Sequence, residues 1–186
     1  ITMIIWSFAF LRMGTVGLVA QLFGKSDYRE IVKTLIRNLI IALVIATVII
    51  LLKPGIIHLT QTFFATSIET QALINTYIST RIFSIPAELI IYILIGFYLG
   101  LQKTKISSLL IILFSTLNIT LSAFFVLSLN LNILGVALGT LISSYITVFL
   151  FLIYTYNFIV KNFQIIPKFE KLIVPHKLFK LFNINF

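Results

Sequence analysis

Residues 1–25 read ITMIIWSFAFLRMGTVGLVAQLFGK, and this stretch decides the fold. It is long enough for one helix across a bilayer, whose ~30 Å hydrocarbon core takes about 20 apolar residues. Small or polar residues recur at Ser7, Gly14, Gly17, Gln21 and Gly24, spacings of three, four or seven that put them on one helical face. Trp6, Phe8, Phe10, Leu11 and Leu18 cover most of the remainder. Glycines at helical spacing let a neighbouring backbone come close, which is how helices associate in lipid. Arg12 lies near the middle of the run. A guanidinium at that depth is costly, and it persists where a carboxylate, a carbonyl or a water pocket receives it.

The same character runs through the chain. Of the residues 60% are hydrophobic and 10% charged, and the mean hydropathy is +1.12, which marks an all-α integral membrane protein. The absence of cysteine excludes disulfides, thiolate metal sites and thiol chemistry. His58 and His176 lie far apart outside the apolar runs, so a histidine metal site is not expected; nor, separately, is a cofactor or an enzymatic activity expected of this chain. Nor is the first run a signal peptide: it has no basic leading segment, is longer than a signal's apolar core and contains Arg12.

Apolar runs of spanning length fall at 1–23, 31–52, 72–101, 106–129 and 133–160, which predicts five transmembrane helices. The third and fifth are long enough to tilt or to project beyond the bilayer. Residues 24–27, 102–105 and 128–132 read as tight turns. Lys53-Pro54-Gly55 is expected to stop the second helix, since Pro cannot continue it and Gly supplies a left-handed end. Residues 56–70 are mildly amphipathic and predict a segment along the membrane surface. Residues 161–186 are basic, broken by Pro167 and Pro175, and read as a cytoplasmic linker toward a further helix.

Lys and Arg set the orientation. The first and third connections and the tail hold Lys25, Arg29, Lys33, Arg37, Lys103, Lys105 and Lys161, with Lys168, Lys171, Lys177 and Lys180 beyond; the second and fourth hold only Lys53. The positive-inside rule places the basic side in the cytoplasm, with Ile1 outside, in a multi-pass plasma (inner) membrane protein. The net charge of +9 is thus a topology signal, and no nucleic-acid partner is expected. A chain that opens on Ile1 outside the membrane, and whose end turns apolar again, reads as a piece of a longer protein.

Several residues could carry chemistry. Ser108, Ser115, Asn118 and Ser122 share a stripe at offsets of seven, three and four; Arg81, Ser84, Glu88, Tyr92, Gly96 and Gly100 share another. Gly135, Gly139, Ser143 and Thr147 form a small-residue series. Helix packing accounts for the glycines and serines. Asn118 carries amide donors and an acceptor that hydrocarbon cannot satisfy, so it reads either as packing glue or as a residue lining a wet cavity. Glu88 is the one carboxylate inside a spanning run. It is either a structural pair, an inert protonated acid or a functional group. Counted from the 102–105 turn at 1.5 Å per residue, Glu88 stands about 15 residues up, or roughly 23 Å. Asn118 and Ser122 stand about 14 and about 18 residues up the antiparallel partner, and Arg12 at a comparable height. Glu88 is therefore expected to approach Asn118 or to neutralise Arg12.

The sequence also resembles a family. Phe10-Leu11-Arg12-Met13-Gly14-Thr15-Val16-Gly17-Leu18-Val19-Ala20-Gln21 is similar to the second transmembrane helix of MATE-type multidrug efflux transporters, in the DNA-damage-inducible protein F (DinF) branch, which reads F-L-R-M-G/S-T-T-G-L-T-A-Q. Arg81-Ile82-Phe83-Ser84-Ile85-Pro86-Ala87, followed by Leu94-Ile95-Gly96-Phe97-Tyr98-Leu99-Gly100, resembles the fourth helix. Asn118-Ile119-Thr120-Leu121 resembles the fifth, and Gly135-Val136-Ala137-Leu138-Gly139-Thr140 the start of the sixth.

The resemblance implies helices two to six of a twelve-helix transporter, most of its N-terminal lobe, with helix one and the C-terminal lobe as missing partners. It implies an antiporter that exports amphipathic, often cationic drugs or metabolites against H⁺ or Na⁺ by alternating access. Candidate residues of the substrate and cation pathway are Asn118, Ser122, Glu88, Arg12, Gln21, Tyr92 and Ser144. The family's fifth helix carries Asn-x-x-x-Asp where this chain has Asn118 and Ser122, and its sixth a Glu where this chain has Ser144. Serine does not titrate near neutral pH, so coupling through those positions is in question. Rival readings are a lipid-linked-precursor flippase, which would favour more cavity cations than Arg12 and Arg81, and a degenerate non-transporting remnant.

Overall fold

In the computed structural model, which describes residues 2–63 and 67–165, the chain is a bundle of helices joined by short turns, with no strand among those residues. The helices are α1 (Thr2–Ser7), α2 (Ala9–Gly24), α3 (Tyr28–Leu51), α4 (Lys53–Phe63), α5 (Ile68–Arg81), α6 (Ile85–Gly100), α7 (Thr104–Ala123) and α8 (Asn132–Phe163). Among the described residues five helical stretches are long and apolar enough to cross a membrane: Met3–Gly24, Tyr28–Leu51, Ile68–Gly100, Thr104–Ser128 and Asn132–Phe163. The all-α, five-span architecture expected from the apolar runs is therefore present. The linker expected over 161–186 lies outside the described residues from 166 onward.

Three boundaries differ from expectation, each for a local reason. The second span ends at Leu51 and α4 starts at Lys53, so Pro54 and Gly55 lie inside the first turn of a new helix. First-turn amides have no intrahelical acceptor, and Pro is tolerated there because its missing N–H forfeits nothing. No glycine takes a positive φ, so Gly55 does not form the expected left-handed stop; the break falls at Leu52, with φ −79° and ψ 1°. The third span begins at Ile68, capped by Ser67, and a 3-10 turn at Ile82–Ser84 divides it into α5 and α6. Pro86 follows that turn and cannot donate to a carbonyl four residues back, so the ladder tightens there. The fourth span ends in a π-helical turn at Phe124–Ser128. The predicted turns do occur, with Ser26, Gln102 and Asn130 at φ 55°, 59° and 54°.

Helix α6 is the centre of the bundle. Ile85, Leu89, Ile93, Leu94, Phe97 and Tyr98 are fully buried, and α6 packs against α2, α3, α7 and α8. A helix apolar on all sides is at home either in such a core or against lipid, and α6 takes the core. Helix α7 is the opposite case, with only Ser107 and Leu110 buried.

The α2–α6 seam is set by α6. A Cβ at Gly96 would stand 2.7 Å from the Arg12 carbonyl oxygen, and one at Gly100 would stand 2.7 Å from Val19 Cβ. The α2 glycines, which were expected to admit a neighbouring backbone, do not make this approach among the described residues: Gly14, Gly17 and Gly24 have nothing within 4 Å of an added Cβ. On α8, Gly139 lies against the backbone of Ser122, whose Cα would be 2.7 Å from an added Cβ, and Gly135 lies against Phe125.

Candidate functional site

The close α7–α8 seam brings Asn118, Ser122 and Thr140 together. Ser122 Oγ donates to Asn118 Oδ1 at 3.1 Å, and Thr140 Oγ1 lies 3.1 Å from the same oxygen and from its own helix's Val136 carbonyl. Gly139 makes this possible, because any side chain there would hold Ser122 away from α8. Asn118 and Ser122 are half-buried, while Thr140 is buried. The Asn118 carboxamide oxygen is thus committed, and its Nδ2 hydrogens have no acceptor among the described residues. The cluster offers neutral donors and acceptors and no group that titrates near neutral pH. Thr140 was not singled out from sequence; its place beside Gly139 and one turn before Ser144 was the available signal.

The second cluster lies at the α5–α6 break. Arg81 Nη1 donates to Glu88 Oε1 and to Ser84 Oγ, while Ser84 Oγ lies 2.8 Å from Glu88 Oε1 and 2.6 Å from the Arg81 carbonyl. Arg81 is 7% exposed and Glu88 8%, so this is an ion pair withdrawn from solvent. The expected partners of Glu88 are corrected: its hydrogen bonds are to Arg81 and Ser84, and neither Asn118 nor Arg12 is among them. Residues three and seven apart share a face, and the 3-10 turn draws that face together.

Arg12 and Tyr92 meet at the α2–α6 seam. The guanidinium carbon lies 5.9 Å from the Tyr92 ring centroid, a cation–π contact, and among the described residues no carboxylate pairs with Arg12. Ser144 is fully buried and donates to the Leu141 carbonyl of its own helix at 2.8 Å. Gln21 is exposed, apart from both clusters.

A third polar contact was missed from sequence. Asn38 Nδ2 donates to Thr15 Oγ1 at 2.8 Å, bridging α2 and α3, and Asn38 is 2% exposed. Asn38 is a lone amide in an apolar run, so the reasoning applied to Asn118 would have found it. Among the described residues no three His, Cys, Asp or Glu side chains group as metal ligands.

The geometry can be set beside known proteins. The chain is 34% identical over 138 residues to DNA damage-inducible protein F of Escherichia coli (strain K12), covering 74% of this chain and 30% of that protein. It is 31% identical over 119 residues to multidrug export protein MepA of Staphylococcus aureus (strain bovine RF122 / ET3-1), covering 63% of this chain and 26% of that one. The chain therefore spans less than a third of these relatives' length. Its fold matches the outward-facing conformation of a multidrug resistance MATE family transporter of the MOP superfamily, with TM-score 0.81 and 23% identity over 94% of this chain and 38% of that one. The family model described as MatE matches residues 1–124, taking in α1 to α7, and on that match this chain belongs to the MatE family.

Proposed function

We propose that this chain forms most of the N-terminal lobe of an exporter of amphipathic, often cationic, compounds, driven by exchange against H⁺ or Na⁺. The observation that carries the reading is the Asn118–Ser122–Thr140 seam in a chain of this family: neutral hydrogen-bonding groups at membrane depth, with the half-buried Asn118 and Ser122 on a helix whose faces the bundle leaves largely uncovered. Polar groups in a spanning helix mark a wet pathway or a helix contact. In this reading the seam orients substrate, and the carboxylate that exchanges the coupling cation lies outside it, since Ser122 and Ser144 do not titrate. Substrate would alternate between the two membrane faces as this lobe rocks against a second one. The basic ends at Lys25, Lys103 and Lys161 would face the cytoplasm.

A flippase for lipid-linked precursors fits less well. Glu88 neutralises Arg81, which leaves Arg12 as the one intramembrane cation without a carboxylate among the described residues.

The test is efflux of a fluorescent cation such as ethidium by the transporter containing this chain, in a host stripped of its own pumps. Asn118→Ala should lower efflux about tenfold at unchanged membrane abundance, the cost of one hydrogen-bonding residue whose partners are left unpaired. Full efflux by Asn118→Ala across several cationic dyes would overturn the role given to the seam. Efflux insensitive to collapse of both the proton and the sodium gradients would overturn the coupling.

A further inference from the structure

A groove of about 200 Å³ opens where the ends of α2, α6 and α8 meet the starts of α3 and α7. Phe23, Tyr28, Phe158 and Phe163 wall it, with Lys103 and Asn162 on its polar side. The walls are ordered by ring contacts: Tyr28 stacks on Phe163 with centroids 4.8 Å apart, and Phe158 meets Phe163 edge-on at 5.8 Å. Because membrane-length helices begin and end here, the groove lies at the level where a bilayer gives way to water. Tyrosine favours that level, since its ring suits hydrocarbon and its hydroxyl suits water, and the three phenylalanines beside Tyr28 add apolar surface.

The charge around the groove is unbalanced. Lys25, Arg29, Lys103, Lys105 and Lys161 all sit at this end of the bundle. The acids here are already engaged: Asp27 caps the Glu30 amide, and Glu30 pairs with Arg37 at 2.7 Å and with Lys33 at 3.7 Å. Lys103 makes no ion pair among the described residues, and Asn162 has only its amide nitrogen engaged, on the Phe158 carbonyl at 2.8 Å. The charge at this end suits an anion.

Size narrows the ligand. Sites for drug-sized molecules run from about 300 to 1,000 Å³. The groove is smaller, open on one side and half aromatic, so it suits a phosphate headgroup and its glycerol neck whose acyl chains stay in the bilayer. We propose that this groove seats the headgroup of an anionic phospholipid, with the Lys103 ammonium on the phosphate and the Tyr28–Phe163 stack against the glycerol backbone. A lipid held there would tie together the ends of α3, α7 and α8.

The 186-residue chain, purified in neutral detergent, provides the test by native mass spectrometry with added lipid. Phosphatidylglycerol should bind at one saturable site and phosphatidylcholine should not. Lys103→Gln should weaken that binding about fivefold, the effect of one interfacial Lys, while Lys105→Gln, equal in net charge but outside the groove wall, should change it less than twofold. Lys103 is exposed and makes no side-chain hydrogen bond, so neither variant threatens the fold. Equal losses in the two variants would overturn the proposal in favour of diffuse attraction to the basic belt. Displacement of the lipid by millimolar inorganic phosphate would reassign the groove to a soluble anion. Tighter lipid binding by a chain ending at Ile165 would make residues 166–186 its occupant instead.

Discussion

Gly96 on α6 lies directly against the backbone of Arg12 on α2: a Cβ there would stand 2.7 Å from the Arg12 carbonyl oxygen and 2.9 Å from Thr15 Cβ. Neither atom belongs to a flexible side-chain end, so the helices themselves would have to move. Gly96→Ala is expected to destabilise the bundle by about 1–3 kcal/mol, the usual cost of overpacking. Gly14→Ala, with nothing within 4 Å of the new methyl, should be neutral or stabilise by up to about 1 kcal/mol through helix propensity. Thermal unfolding of the two variants in detergent reads the difference. Equal drops in both midpoints would show that the close seam is not at Gly96.

The glycine faces of α2 and α6 show how far the sequence reaches. The number and approximate limits of the spans were legible because apolar length is a property of each segment alone. The seam was not, since helical spacing shows which glycines could admit a neighbour but not which of them meets one. The Gly14–Gly17 face and the Gly96–Gly100 face satisfied the same pattern, and only tertiary pairing chose between them. Glu88 shows the same limit. Counting residues fixed its height in the membrane but not its direction, and Arg81 was already on its stripe, seven residues earlier. Pro54 was read correctly as a breaker, but its tolerance of a first helical turn moved the break to its other side.

The orientation can be checked by labelling, because the chain has no cysteine. Thr104 opens α7 beside Lys103 and Lys105, and Ser128 closes the π turn at the opposite end; both are exposed. Ser128 serves better than Asn130, whose φ of 54° disfavours a new side chain. In intact cells an impermeant maleimide is expected to label Ser128→Cys and to spare Thr104→Cys until the membrane is opened. The reverse pattern would invert the topology drawn from the basic loops.

The last prediction separates the observed partner of Glu88 from the expected ones. Arg81, Ser84 and Glu88 form a closed set: one guanidinium, one carboxylate, and a hydroxyl that lies within reach of the carboxylate and of the Arg81 carbonyl. Both residues are more than nine-tenths buried, so neutralising one leaves the other without a counter-ion and with little access to water. Removing one member of such a pair costs about 3–5 kcal/mol, much of it the desolvated charge left behind. Glu88→Gln should therefore lower the unfolding midpoint sharply, and Arg81→Gln should do so to a similar degree. The double variant Arg81→Gln/Glu88→Gln should recover most of the loss, a coupling that a double-mutant cycle isolates. Arg12 serves as the control. Its contact is the Tyr92 ring, 5.9 Å away, so neutralising Arg12 should add its own small effect to that of Glu88→Gln and rescue nothing. Recovery with Arg12 but not with Arg81 would reinstate the pairing inferred from depth. Unchanged stability in Glu88→Gln would show that the pair at the α5–α6 break does not hold the two segments together.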